Sequence, residues 1–412
     1  MGKNERILAE GIYRNNDTWE TGLNNNDLII GASGAGKTRN YVKPNLLQCN
    51  ESVIVADTKG QLCKEVGPVL KKNGYDVQVV DFTDLGSGIG YNPLDFIRYN
   101  PKTKRFMEQD IMKIATCLVS DKHEREKFWP FSARLYMEVL IGYVLEFLPK
   151  EEHNLKYVLE LFSYMDQNEF DVLFREVEYA YPDSFTAKKY QLIKGNRASE
   201  KTHSSIKAFV SEALNPFAFA EAETMLTKKK RVRFSDLGRK KTVLFVNISD
   251  VDRSMDGIIN LFYTQALQTL CEEADKHTKD GRLPVPVRII LDDFAANVEI
   301  PDFDKIISVI RSREIYVSVI LQSVSQLNSM YGADRAMTIM NNCDNWLYLG
   351  GQDVTTSECI AVKANKLVDS ILNMPLGEAY LFTRGEQAKM VRKFDIKRHA
   401  KYRELQEAMD GR

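Results

Sequence analysis

No segment of this sequence comes near the roughly 18 uninterrupted apolar residues that cross a membrane. Its longest apolar run, VLIGYVLEFL at 139–148, is short and carries Glu146. The first residues, MGKNERILAEG, lack the apolar core of a secretory signal, and Arg6 stands where a myristoylation signal needs Ser or Thr. The expectation is a soluble, cytoplasmic chain. Cysteine is sparse and unpatterned: Cys49, Cys63, Cys117, Cys271, Cys343 and Cys359 form no C-x-x-C spacing, which argues against a zinc site or a disulfide framework and for a reducing compartment. The five histidines are equally scattered, and none is assigned a metal. Internal repeats, low-complexity tracts and a proline-rich linker are all missing, so domains should pack together rather than hang on tethers. An excess of either charge is missing too. With a formal net charge of −1, any contact with nucleic acid has to come from a local patch.

What remains describes an ordinary globular protein, 27% charged and 44% hydrophobic. At 412 residues it is too long for one core and suggests two domains. Strand-like segments come first: Leu28–Ile30, SVIVAD (52–57) and YDVQVVDF (75–82), rich in Val and Ile and bounded by turn residues. They read as βαβ units of a parallel sheet. From about Asn100 to Val232 apolar residues recur at helical spacing and convincing strands disappear, which predicts an all-helical insertion. Strands then resume in TVLFVNI (242–248), VRIILDDF (287–294), YVSVILQS (316–323), NWLYLGG (345–351) and AYLFT (379–383). The predicted organisation is an α/β nucleotide-binding domain over 1–99 and 233–412, with an all-α domain inserted at 100–232.

Chemistry concentrates in LIIGASGAGKTRN, residues 28–40. Gly31, Ala32, Ser33, Gly34, Ala35, Gly36, Lys37 and Thr38 match G-x-x-x-x-G-K-[ST] without exception. Glycines let the backbone turn with positive φ and bring its N–H groups close to phosphate oxygens, while the following helix offers its positive end. Lys37 is placed to contact the β and γ phosphates, and the Thr38 hydroxyl to ligate Mg²⁺. Pro44 is expected to end or kink that helix within about two turns. A structural turn that binds nothing would have no use for the Lys-Thr pair.

VRIILDDFA supplies the second signal, a strand ending in two acids that reads as a Walker B segment. Asp292 would hold Mg²⁺ through its water shell, and Asp293 would orient or deprotonate the attacking water. At the end of the next strand Gln322 could sense the γ phosphate, or be a polar strand end. Lys228, Lys229, Lys230, Arg231 and Arg233 fit phosphate contacts and equally a solvated loop. Phe128 and Trp129, following Lys127, fit a stacking platform on paper but better a helix packed into the core.

Taken in order, TGLNNNDLIIGASGAGKTRNYVKPNLLQ, VIVADTKGQL, YNPLDF, KTVLFVNI, IILDDFA, VILQSVSQL and NNCDNWLYLGGQD resemble the TraG-like type IV coupling proteins, the hexameric ATPases of conjugation and type IV secretion. The resemblance runs over nearly the whole chain. It implies a RecA-like P-loop domain with an inserted all-α domain, and ATP with Mg²⁺ as ligands. It further implies that hydrolysis drives single-stranded DNA bound to a relaxase, or a secreted protein, toward a type IV secretion channel at the inner membrane face. A RecA-like ring completes its site with an arginine from the neighbouring subunit; Arg311 and Arg313, in IRSREIY, are the candidates by position, and both also suit surface ion pairs.

Three departures from the family pattern stand out. Membrane-spanning helices commonly precede the nucleotide domain, whereas about 30 residues precede the loop here. Asp293 stands where the family usually has Glu, and Gln61 follows DTKG where an acid is frequent, altering the charge around Asp57 and Lys59. Losing one methylene sets a carboxylate back by roughly 1.5 Å, and misplacement of about 1 Å can cost on the order of 100-fold in rate. Two other readings stay open: an ATP-gated docking receptor with little hydrolysis, and a RecA-like translocase of duplex DNA of the FtsK or HerA kind.

Overall fold

The protein is described by a computed structural model that covers residues 4–119, 126–292, 294 and 299–410. Two compact units emerge. One comprises Met1–Thr83, Arg233–Val251 and Leu267–Arg412, the other Asp84–Val232 with Asp252–Ala266. Residues 84–99 and 252–266, expected with the sheet, therefore group with the helices. The local reason is Tyr91, fully buried, whose hydroxyl donates to Gln265 Oε1 at 2.6 Å while Gln265 Nε2 returns a bond to Pro93 O at 2.9 Å.

The first unit opens with a hairpin, β1 (Glu5–Ala9) and β2 (Ile12–Asn15). Its main sheet begins with β3 (Asp27–Ile30), β4 (Ser52–Asp57) and β5 (Asp76–Asp81). Two-residue strands β6 (Tyr99–Asn100) and β7 (Arg105–Phe106) pair with each other in the helical unit. The sheet resumes with β8 (Thr242–Asn247), β9 (Val287–Leu291), β10 (Ile315–Leu321), β11 (Asn345–Tyr348), β12 (Glu378–Thr383) and β13 (Lys389–Arg392). Spatial order is β13-β12-β11-β3-β10-β9-β4-β8-β5. Pairing is parallel from β11 to β5 and antiparallel only where the β12–β13 hairpin closes one edge.

Strands covered on both faces need continuous apolar sequence, and DLII, SVIVAD, VRIIL, IYVSVIL and NWLY are buried at every position. The edge strand β13 (KMVR) is largely exposed and carries a cation at each end, which blunts its free edge.

Polar residues inside those strands form one buried network. Asp27 accepts from Arg6 Nε at 2.9 Å, from the Tyr41 hydroxyl at 2.6 Å and from Asn345 Nδ2 at 3.1 Å. Arg288 on β9 is ion-paired with Glu51 and donates to Ser318 Oγ on β10 at 3.1 Å. Burial and the Asp27 carboxylate push the Tyr41 hydroxyl far above its ordinary pKa, so it stays a donor. The network ties β3, β9, β10 and β11 together across the sheet.

The helical unit is organised around the 20-residue helix Phe128–Phe147. Gly142 permits a close approach to helix Phe185–Arg197, since a Cβ there would lie 2.8 Å from Thr186 Oγ1 and 2.9 Å from Phe185. Glu146, the charge inside the apolar run, accepts from Phe185 N at 3.0 Å and Thr186 N at 2.9 Å. It thereby satisfies orphan amides at the start of that helix. Among the described residues no helix is long and apolar enough to cross a membrane.

Candidate nucleotide site

Strands β3, β10 and β9 are neighbours and parallel, so their C-terminal ends open on one edge of the sheet. That edge receives Gly31 after Ile30, Gln322 after Leu321 and Asp292 after Leu291. Crevices outside the carboxyl ends of parallel strands are where α/β sheets hold ligands.

The loop between β3 and the next helix is pinned at its base. Gly31 N donates to Leu321 O at 3.1 Å and Ala32 N to Gly350 O at 2.9 Å. A Cβ on Gly31 would sit 3.0 Å from both Ala35 Cβ and Leu349 Cβ. Gly36 has φ +95°, and a Cβ there would lie 2.0 Å from Asn40 Oδ1. No other residue type fits that position. The buried Lys37 donates its Nζ to Gly31 O at 2.9 Å and reaches Ala32 O at 3.5 Å, curling over the loop it belongs to.

Thr38 opens a π-helical turn, Thr38–Val42, which passes into the α-helix Lys43–Gln48. Pro44, expected to end or kink the helix, does not end it, and the π-helical turn passes into α-helix beside it, at Lys43. The proline falls in the first turn of the α-helical segment, where a missing N–H is tolerated. The Thr38 hydroxyl donates to Asp292 Oδ2 at 2.9 Å, joining the loop to the end of β9. A hydroxyl beside a carboxylate is a hard-oxygen pair of the kind that suits Mg²⁺, and a glycine loop with a buried ammonium suits phosphate. The residues present thus fit a magnesium nucleotide.

The remaining sequence candidates are distributed differently. Asp293 lies outside the described residues. Arg311 and Arg313 form a short 3₁₀ turn just before β10, at the opposite end of that strand from Gln322. Seven residues of strand separate the two edges by about 23 Å. Arg313 is held by Asp275 through bonds of 2.7 and 2.9 Å, while Arg311 donates to Thr18 O at 2.8 Å. In the basic run, Lys228 Nζ is bound by the carbonyls of Gly86, Ser87 and Gly88 at 2.5 to 3.1 Å, and Arg231 grips Asp95 through two bonds. Both are internal ties. Phe128 is 48% exposed and Trp129 half-buried, its Nε1 donating to Glu126, so this pair is not the core packing that its helical setting suggested. Asp57 receives Cys63 N at 3.0 Å, capping the helix Gln61–Lys72.

Three groups escaped the sequence reading. Tyr41 anchors the loop's helix to the network under the sheet. Residues 349–351 back the loop, with Gly351 packed against Ala32. Lys393 and Phe394, far away in sequence, touch it through Ala35 O and Asn40 Nδ2. Only the glycine pair in LGGQD signalled a close approach.

The family profile described as Type IV secretory system Conjugative DNA transfer matches residues 1–363. The chain belongs to this family. Among solved structures it is similar to the bacterial conjugative coupling protein TrwBdeltaN70 in its unbound form, with 17% identity over 97% of this chain and 90% of that one at a TM-score of 0.70. The plasmid coupling protein TrwB in complex with ADP and Mg2+ matches at 18% identity over 96% and 90% of the two chains, also at a TM-score of 0.70. VirB4 of Thermoanaerobacter pseudethanolicus matches at 14% identity, 95% and 96% coverage and a TM-score of 0.58. A comparison with curated proteins finds no match. At these identities the structures establish the fold, a RecA-like P-loop α/β domain accompanied by helices. The family establishes a coupling protein of conjugative DNA transfer and type IV secretion.

Proposed function

We propose that this family member binds and hydrolyses ATP, and uses it to move single-stranded DNA with its attached relaxase, or a secreted protein, toward a type IV secretion channel. The observation that carries the reading is the 2.9 Å bond from Thr38 Oγ1 to Asp292 Oδ2, which sets both signature segments at one point on the sheet edge. TrwB, of the same fold, has been seen with ADP and Mg2+. In the proposed site the Gly31–Thr38 backbone cradles phosphates, and Lys37 leaves Gly31 O to meet them. Thr38 and Asp292 hold Mg²⁺, which when bound neutralises phosphate charge. Asp293 orients the attacking water and Gln322 reports the state of the terminal phosphate. An arginine, Arg311 or Arg313, enters from a neighbouring copy in a hexameric ring. The sheet unit is the motor domain, the helical segment an insertion in it, and the working place the cytosolic face of the inner membrane.

Steady-state ATP hydrolysis with and without single-stranded DNA, with Lys37→Ala as the blank, tests this. A rate that rises with single-stranded DNA and vanishes in the variant supports the motor. Nucleotide binding without turnover at any protein concentration points to the ATP-gated docking receptor instead, which the shortened Asp293 favours. A preference for duplex DNA points to the duplex translocase.

A further inference from the structure

The phosphate-binding loop is held from outside by the last strand of the sheet. Lys393, directly after β13, sends its Nζ to Leu349 O at 2.8 Å and to Ala35 O at 3.2 Å. The next residue repeats the grip. Phe394 O accepts from Asn40 Nδ2 at 2.8 Å, and Asn40 Oδ1 lies where a Cβ on Gly36 would be. Two consecutive residues thus fix the loop at Ala35 and, through Asn40, at Gly36, from about 350 positions away in sequence.

The Lys393 ammonium is half-buried, and among the described residues no carboxylate lies within ion-pair distance of it. Carbonyl dipoles are its printed partners, and burial holds its pKa below the ordinary lysine value. An ammonium withdrawn from water without a counter-ion is destabilising unless an anion arrives. Lys43, another half-buried lysine of this unit, is paired with Glu65, whereas Lys401 gives its Nζ to Leu47 O at 3.0 Å, away from the loop. What distinguishes Lys393 is its place, against Ala35 O of a loop whose glycines and buried Lys37 suit a polyanion.

We infer that Lys393 is a second lysine of the phosphate site, a positioning residue that holds the loop crest at Ala35 and contributes its charge to phosphate binding. This rests on the nucleotide reading of the loop. Its bonds set the outer wall of the loop, and its charge lowers the electrostatic cost of a triphosphate.

Equilibrium binding of a non-hydrolysable ATP analogue to the full chain, measured over a range of salt, separates the possibilities. Lys393→Met should bind about tenfold more weakly, with a shallower salt dependence, as expected for the loss of one charge-assisted contact. Lys393→Arg should restore most of the affinity. Lys393→Gln, which keeps a donor and drops the charge, should resemble Met and supplies the measurement if the Met variant does not fold. Lys389→Gln, removing a surface cation from the same strand, should bind as wild type. Affinity of the Gln and Met variants within twofold of wild type overturns the inference, as does a loss that Arg does not restore. If the wild-type chain itself binds no nucleotide while folded, the nucleotide reading fails first, and the result is distinguishable from a failure at Lys393.

Discussion

At the scale of single residues, the one carboxylate most exposed to question is Asp293. Its neighbour Asp292 is already committed to Thr38, so in the proposed mechanism the water-orienting role falls to a side chain one methylene shorter than the family's usual glutamate. If that shortening limits the rate, Asp293→Glu raises steady-state hydrolysis by on the order of tenfold or more, with nucleotide affinity unchanged. An equal or lower rate means the aspartate suits its surroundings and turnover is limited elsewhere. A second residue makes stability depend on pH. His399 is buried, its Nδ1 accepts from Lys401 N at 3.1 Å, and its Nε2 therefore carries the proton shared with Gln48 Oε1 at 3.3 Å. Burial first, and the nearby Lys401 charge second, push its pKa down to about 4. In the unfolded chain the ring protonates near 6.5, so the unfolded state binds more protons between those values and stability falls as pH drops from about 6.5 to about 4. The total is about 3 kcal/mol for a shift of this size. His399→Asn should flatten that limb of the stability curve, read from unfolding midpoints at several pH values; an unaltered slope would mean other groups carry it.

At the scale of elements, the buried network decides how the site strands align. Three network residues lie four positions before the site residue that follows their own strand: Asp27 before Gly31, Arg288 before Asp292 and Ser318 before Gln322. A register slip of one residue would move these polar groups into apolar layers, so the network penalises misaligned strands as well as holding aligned ones. Arg288→Met leaves Glu51 without its ion pair and should cost about 3–5 kcal/mol, whereas adding Glu51→Leu should recover more than half of the loss. Denaturant midpoints of the two variants check this, and a double variant no better than the single one would show that Asp27, not Glu51, is the partner that matters. None of this network was visible in the sequence. The strands were, because continuous Val, Ile and Leu runs identify parallel strands by themselves, and the loop was, because its glycines and Lys-Thr pair have few other uses. Asp27 and Glu51 precede such runs and Arg288 interrupts one, and a charge satisfied from another strand of the sheet has no local signature. Lys393 was illegible for the same reason, and Phe128 misled because helical spacing says which residues share a face, not which face is covered.

At the scale of the whole molecule, the question is whether one chain contains a complete site. Within a single copy the two arginines lie about 23 Å from the nucleotide edge, at the far end of β10, so neither reaches its own loop. Of the two, Arg313 is bound by both oxygens of Asp275, and recruiting it would mean breaking that pair; Arg311 gives one bond to a backbone carbonyl. Arg311 is therefore the better donor to a neighbour. Mixing defective chains tests this without knowing the geometry of assembly. Lys37→Ala chains keep the arginine and lose their own site, while Arg311→Ala chains bind nucleotide as wild type and lose the arginine. Each alone should be inactive. In an equal mixture of exchanging subunits, about a quarter of contacts place an intact loop beside an intact arginine, so activity should return to about a quarter of wild type. Return of activity on mixing establishes a site shared between copies. A mixture as inactive as its parts assigns Arg311 to the surface, next to Thr18, and leaves the loop to act with residues of its own chain.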